Sequence, residues 1–185
     1  MKKLLIMIAI GSGVISTSTL AYDTSAKWNW FANSYWYVPT KNLTAYEYTP
    51  GTNTISEVND QTVFQITNYV NGYFWGKVVS QLGTGVPACN SLVGSVTPEG
   101  NVYLTFTPNP YLDGESVTYG FGKMVLKNRQ WMMVNQMSAG PSGYQIGHWA
   151  YMVQTKPGQV SWLSLPGISV SVQTFLDNCP SGPSL

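Results

Sequence analysis

The stretch that most constrains this chain is Thr62–Val79, TVFQITNYVNGYFWGKVV, in which two runs rich in β-branched and aromatic residues flank Asn71-Gly72. Asn-Gly is the pair that best tolerates two successive positive φ angles, as a two-residue type I′ hairpin turn requires. The stretch reads as a β-hairpin, and a lone hairpin is marginal in water, so further strands must cover its apolar side. A regular two-residue turn places Phe64, Ile66, Asn68, Val70, Tyr73, Trp75, Lys77 and Val79 on one face. The other face then holds Val63, Gln65, Thr67, Tyr69, Phe74, Gly76, Val78 and Ser80. The more apolar face carries Lys77. That lysine is expected either to reach water from a rim with its stem buried or to enter a pocket as a functional charge beside Trp75.

The same pattern recurs along the chain. Tyr35–Val38 reads as a strand ended by Pro39, which has no amide to donate. Leu43–Thr49 is a second, and Thr54–Val58 continues the pairing after the Pro50–Asn53 turn. Leu92–Thr97 and Asn101–Thr107 are joined by Pro98-Glu99-Gly100, a three-residue connection whose glycine takes the left-handed position. That register sets Val96 opposite Val102, Gly94 opposite Leu104 and Leu92 opposite Phe106. Ser116–Lys127 and Gln130–Met137 form a hairpin about Asn128-Arg129, followed by His148–Thr155. Val160–Leu165 and Ile168–Phe175 alternate apolar with polar residues and read as two more strands broken at Pro166-Gly167. No stretch sustains a 3.6-residue period with helix caps. Strand runs at this spacing define an all-β chain, an antiparallel up-and-down meander closing into a barrel of about eight strands, with a β-sandwich as the alternative.

The Asn128-Arg129 hairpin shows which side points inward. With that turn Leu126 pairs with Trp131, Met124 with Met133 and Gly122 with Asn135, while Lys123 shares the opposite face with Val125 and Phe121. Lysine is rarely buried unpaired, so the inner face is Gly120, Gly122, Met124, Leu126, Trp131, Met133, Asn135 and Met137. The parity extends to His148, Ala150 and Met152. Trp131, Asn135 and His148 thus join Trp75 and Lys77 as candidate ligand-binding residues: polar groups within an apolar surround describe a pocket. They describe a filled core with satisfied polar residues equally well.

At the amino terminus Met1-Lys2-Lys3 is positive, Leu4–Ile15 is mostly apolar and Ser16–Ala21 is small and polar. This is the layout of a secretory signal cut after Ala21, with Thr19 at the −3 position, and the apolar run is short for a membrane span. The expected mature chain, from Tyr22 to Leu185, is one domain. Of the 9 Lys/Arg two lie in the leader, leaving a formal net charge of −1 against 8 Asp/Glu. So weak and mixed a charge argues against nucleic acid or an anionic membrane surface as partner. Export also frames Cys89 and Cys179, the only cysteines, as an expected disulfide pinning the carboxy-terminal tail. A metal pair or free thiols are the alternatives.

Asn71-Gly72-Tyr73-Phe74-Trp75-Gly76-Lys77 resembles the early hairpins of calycins, the avidin- and lipocalin-type barrels, in which a turn glycine is followed by an aromatic and a second glycine. Gly94-Ser95-Val96 echoes it, and the similar meander spans Leu43–Thr155. The resemblance implies an up-and-down barrel able to hold a small apolar ligand. The lipocalin Gly-x-Trp signature is absent, and no biotin-contacting set carries over.

Chemistry is sparsely marked. His148 is the sole histidine, and Gly140-Pro141-Ser142-Gly143 is not a nucleophile elbow. One histidine and two bridged cysteines cannot make a zinc site, and no cofactor is expected. Asp113 and Glu115 are the closest carboxylates, a candidate hydrolytic or Ca²⁺-binding pair that also fits an ordinary solvated turn. The conspicuous feature is aromatic content: 7 Trp and 12 Tyr, with aromatics at 14% against charged residues at 9%. The reading is an exported, non-enzymatic barrel, periplasmic or extracellular, that binds a small apolar molecule or a protein partner through its interior or an aromatic rim. A carbohydrate-binding or adhesive module is the first alternative, and a hydrolase using loop carboxylates the second.

Overall fold

The computed structural model of the chain describes residues 27–40, 44–108, 117–139 and 145–180. The expected leader and the Asp113/Glu115 pair lie outside them. Nine strands are present among the described residues: β1 (Ser34–Tyr37), β2 (Thr44–Thr49), β3 (Thr54–Val70), β4 (Tyr73–Leu82), β5 (Ala88–Val96), β6 (Asn101–Pro108), β7 (Thr118–Lys127), β8 (Gln130–Ala139) and β9 (Gln145–Thr155). Each of β3 to β8 pairs antiparallel with the next strand, and β1 closes the ring by pairing with both β3 and β9. The fold is thus an eight-stranded antiparallel meander barrel, and β2 is a ninth strand that also pairs with β3 and β9.

Turn chemistry sets the registers. Asn71 and Gly72 have φ of 50° and 89°, and Asn128 and Arg129 have 51° and 62°, the two left-handed residues of a primed turn. Val96 pairs with Val102, Leu92 with Phe106, Leu126 with Trp131 and Met124 with Met133, as expected. The β3–β4 hairpin departs from regular alternation. Ile66 pairs with Gly76 but Asn68 pairs with Trp75, so Thr67 is an extra residue in a β-bulge. One extra residue inverts the side of everything beyond it. Phe64, Ile66, Tyr69, Phe74 and Val78 thereby share the inside, while Tyr73, Trp75, Lys77 and Val79 face out. Lys77 does not share a face with Phe64 and Ile66.

The interior is a single cluster that includes Trp36, Phe64, Ile66, Phe74, Leu92, Leu104, Phe106, Met133, Met137 and Met152, all at most 4% exposed. A 3₁₀ turn at Asn29–Phe31 closes one end by inserting Trp28 and Phe31. Trp28 Nε1 donates to the Thr97 carbonyl (2.9 Å) and Lys27 Nζ to the Pro98 carbonyl (2.6 Å), tying this plug to the β5–β6 turn. Leu126, expected inside, is 57% exposed because β7 runs past the barrel end at that point.

Two segments expected as strands are short helices, α1 (Val160–Leu163) and α2 (Val172–Leu176). Ser171 caps α2 by accepting from the Thr174 amide at 3.0 Å. Their apolar residues Trp162, Leu165, Val172, Phe175 and Leu176 pack outside the barrel on Val63 and Val79. Cys89 on β5 is bridged to Cys179 just beyond α2, with Cα atoms 5.2 Å apart, so the tail is clipped to the wall.

Candidate functional site

The structure separates the predicted site residues into three places. Trp75 and Lys77 lie on the outer wall, Trp131 lies at the plugged end, and Asn135 and His148 point into the interior as diagonal neighbours on β8 and β9.

The interior polar group includes a residue that strand patterning missed. Asp60 is inside β3 and 3% exposed. Alternation back from Phe64 and Ile66 through Thr62 places it on the inner face, and that was the available signal. Its position reflects how β1 and β2 share the β3–β9 seam. Pairing of β2 with β3 stops at Thr44–Asn59, and pairing of β1 with β3 begins at Tyr37–Val63. Asp60, Gln61 and Thr62 therefore have no ladder partner on that side. The Gln61 amide compensates by donating to the carbonyls of Val38 (3.3 Å) and Pro166 (2.8 Å). Thr62 Oγ1 donates to both oxygens of Asp60, at 3.1 and 3.3 Å.

Across this seam His148 Nε2 approaches Asp60 Oδ2 to 3.4 Å. The two groups sit side by side without a hydrogen bond, since neither imidazole nitrogen makes one of sound geometry. Burial raises the Asp60 carboxyl to about 7, against the opposing pull of the Thr62 hydroxyl. Burial lowers His148 to about 4. The Asn135 amide is fully buried and has no partner for either polar atom among the described residues. Opposite it, a Cβ on Gly122 would collide with the Asn135 carbonyl oxygen and the Val134 backbone, so that glycine makes room for the amide. No hydroxyl or thiol is hydrogen-bonded to His148 among the described residues, and no three His, Cys, Asp or Glu side chains there could hold a metal. This arrangement can store a proton, and it presents no aligned nucleophile.

On the outer wall, register brings aromatics into two adjacent rows. One runs Trp149–Gln136–Phe121–Tyr103–Ser95–Tyr73 from β9 to β4. The second runs Tyr46–Gly147–Ser138–Tyr119–Thr105–Val93–Trp75 from β2 to β4. Tyr73, Tyr103, Phe121 and Trp149 are 55–59% exposed. Where the second row crosses β2, β9 and β7 an open groove of about 710 Å³ lies between Tyr46, Tyr48 and Tyr119. Isolated exposed aromatics are ordinary, but contiguous ones mark interaction surfaces. Single residues at alternating strand positions gave no sign of this band, because only cross-strand register assembles it.

Lys77 is the other outward residue. Its Nζ donates to the Leu176 carbonyl at the end of α2 (3.3 Å), and burial depresses its pKa while Asp177 acts in the opposite sense.

No family model, curated protein or solved structure matches the chain. Architecture therefore defines its class: a closed eight-stranded antiparallel meander barrel, consistent with a calycin-like fold, carrying a disulfide and an exposed aromatic band. No helix among the described residues is long and apolar enough to cross a membrane.

Proposed function

We propose that this protein is an exported, non-catalytic binding module that takes a glycan on the outer aromatic face of its barrel. The observation that carries this reading is the cross-strand row in which Trp149, Phe121, Tyr103 and Tyr73 are interleaved with Gln136 and Ser95. Flat apolar rings stack on the C–H faces of sugars, and uncharged amides and hydroxyls match sugar hydroxyls without the desolvation cost of a charge. Rings two strands apart are roughly 9–10 Å from one another, close to the length of a disaccharide unit. The side-chain filling of the interior favours the wall over the lumen as the place of binding. The inside is filled mainly by apolar side chains and the outside carries Lys123 and Gln136, the reverse of a membrane-spanning barrel. The disulfide fits an oxidising compartment.

The test is binding to a panel of neutral polysaccharides by affinity electrophoresis, with Phe121→Ala and Trp149→Ala as variants. Each ring contributes about 0.5–1.5 kcal/mol, so each variant should weaken retardation roughly two- to tenfold. Absence of retardation by every polysaccharide, or full retention of it in the double variant, would overturn the reading.

A further inference from the structure

The plugged end of the barrel carries a separate cavity of about 480 Å³. One side of it is a pair of indoles, Trp30 and Trp131, stacked with centroids 6.3 Å apart and planes 27° apart. The pair is braced from behind by Trp28, whose ring meets that of Trp131 edge-on at 5.0 Å. Trp30 is fixed further by donation from its Nε1 to the Lys27 carbonyl (3.1 Å). The remaining lining includes two cationic residues, Arg129 and Lys156, and two amide residues, Gln130 and Gln154, with no carboxylate among the described residues that line it. Among the described residues neither Arg129 nor Lys156 is in a salt bridge, and both line this one cavity.

Arg129 also occupies a position that its backbone opposes. It is the second residue of the β7–β8 turn, at φ +62°, where glycine is the favoured occupant and a side chain is strained. The equivalent place in the β3–β4 turn is Gly72. Strained residues cluster at ligand-binding and active sites, and Arg129 lines this cavity.

We propose that this cavity is a binding site for a carboxylated sugar, uronic or sialic. The sugar ring lies against the Trp30–Trp131 pair, the carboxylate is taken by the planar fork of Arg129 with Lys156 beside it, and hydroxyls meet Gln130 and Gln154. This site is distinct from the outer aromatic rows and stands whether or not they bind neutral glycans.

The experiment is titration of the full chain, followed by tryptophan fluorescence and calorimetry. The probes are uronate- and sialate-containing oligosaccharides, their neutral methyl esters, and inorganic phosphate. The acids should bind about tenfold or more tighter than the esters, as expected for a charge-assisted bidentate contact, and should weaken with salt. Arg129→Gly should abolish that preference while its thermal midpoint is held or raised, which separates loss of the site from loss of the fold. Equal binding of acid and ester, unchanged affinity in Arg129→Gly, or no response to any acid at millimolar concentration would overturn the proposal. Competition by phosphate at equal concentration would overturn its sugar component.

Discussion

His148 Nε2 lies 3.4 Å from Asp60 Oδ2 across the one seam of the barrel that two end-to-end strands share. Both groups are buried, and burial moves them in opposite directions: the carboxyl up from 3.8 to about 7 and the imidazole down from 6.5 to about 4. Each shift favours the neutral form. From about pH 4 to 7 the folded pair therefore holds one proton.

This fixes a pH dependence. Between 3.8 and about 7 folded Asp60 binds a proton that the unfolded chain has lost, so its stabilising contribution fades as pH rises. Between about 4 and 6.5 unfolded His148 binds a proton that the folded chain excludes, so its contribution grows as pH rises. In the overlap the two cancel, and the pair leaves stability level. Relative to wild type, Asp60→Asn should make stability climb with pH across that window, and His148→Gln should make it fall. The limiting slope in each case is about 1.4 kcal/mol per pH unit. Urea unfolding at several pH values checks this, and identical profiles for all three proteins would refute it.

Hairpins with a diagnostic turn were readable to the residue, because loop length and turn type set register. Val96–Val102 and Leu126–Trp131 are examples. The β3–β4 pair shows the limit. Its Asn71-Gly72 turn is as expected, but the bulge at Thr67 depends on how the strands coil about the barrel and has no local signature. Residues before the bulge therefore keep their expected side relative to Phe64, while Trp75 and Lys77 change theirs. Val160–Leu165 and Ile168–Phe175 misled for another reason: helices of four and five residues are too short to display a 3.6-residue period. The Asp60–His148 contact depends on β1 and β2 meeting end to end, which is tertiary information.

Phe74 and Gly94 make a sharp packing test. A Cβ added at Gly94 would run into the Phe74 ring and the Tyr103 carbonyl. Gly94→Ala should therefore cost roughly 1–3 kcal/mol through overpacking. Gly147→Ala is the control, with nothing within 4 Å of the added atom, and should stay within about 0.5 kcal/mol of wild type. Chemical denaturation of the two variants decides it; equal effects would mean that the β4–β5 wall is looser than its packing indicates.

The Cys89–Cys179 bridge spans 90 residues of sequence and fastens α2 over Val63 and Val79. The chain-entropy model gives about 4–5 kcal/mol for such a loop, and native disulfides are typically worth 2–5. Replacing both cysteines by serine should lower the unfolding free energy by roughly 2–4 kcal/mol. The Trp28–Trp131 edge-on contact lies at the plugged end of the barrel, in a different cluster from the clip, so near-ultraviolet dichroism from the tryptophan cluster should persist. Its disappearance in the folded double variant would show that the clip shapes the interior as well.

Exposed aromatics on a sheet can serve the fold or a ligand, and stability measurements separate the two. Phe121 and Trp149 are 57% and 59% exposed. Their cross-strand contacts with Gln136 and Tyr103 are of the kind worth about 0.2–1 kcal/mol each. Phe121→Ser and Trp149→Ser should therefore each cost less than about 1 kcal/mol, whereas Phe74→Ala, in the closed interior, should cost about 3–5. Thermal and urea unfolding of the three variants reads this directly. A cost at either outer position approaching that of Phe74→Ala would make the band a structural element, and the case for an exposed glycan platform would fall with it.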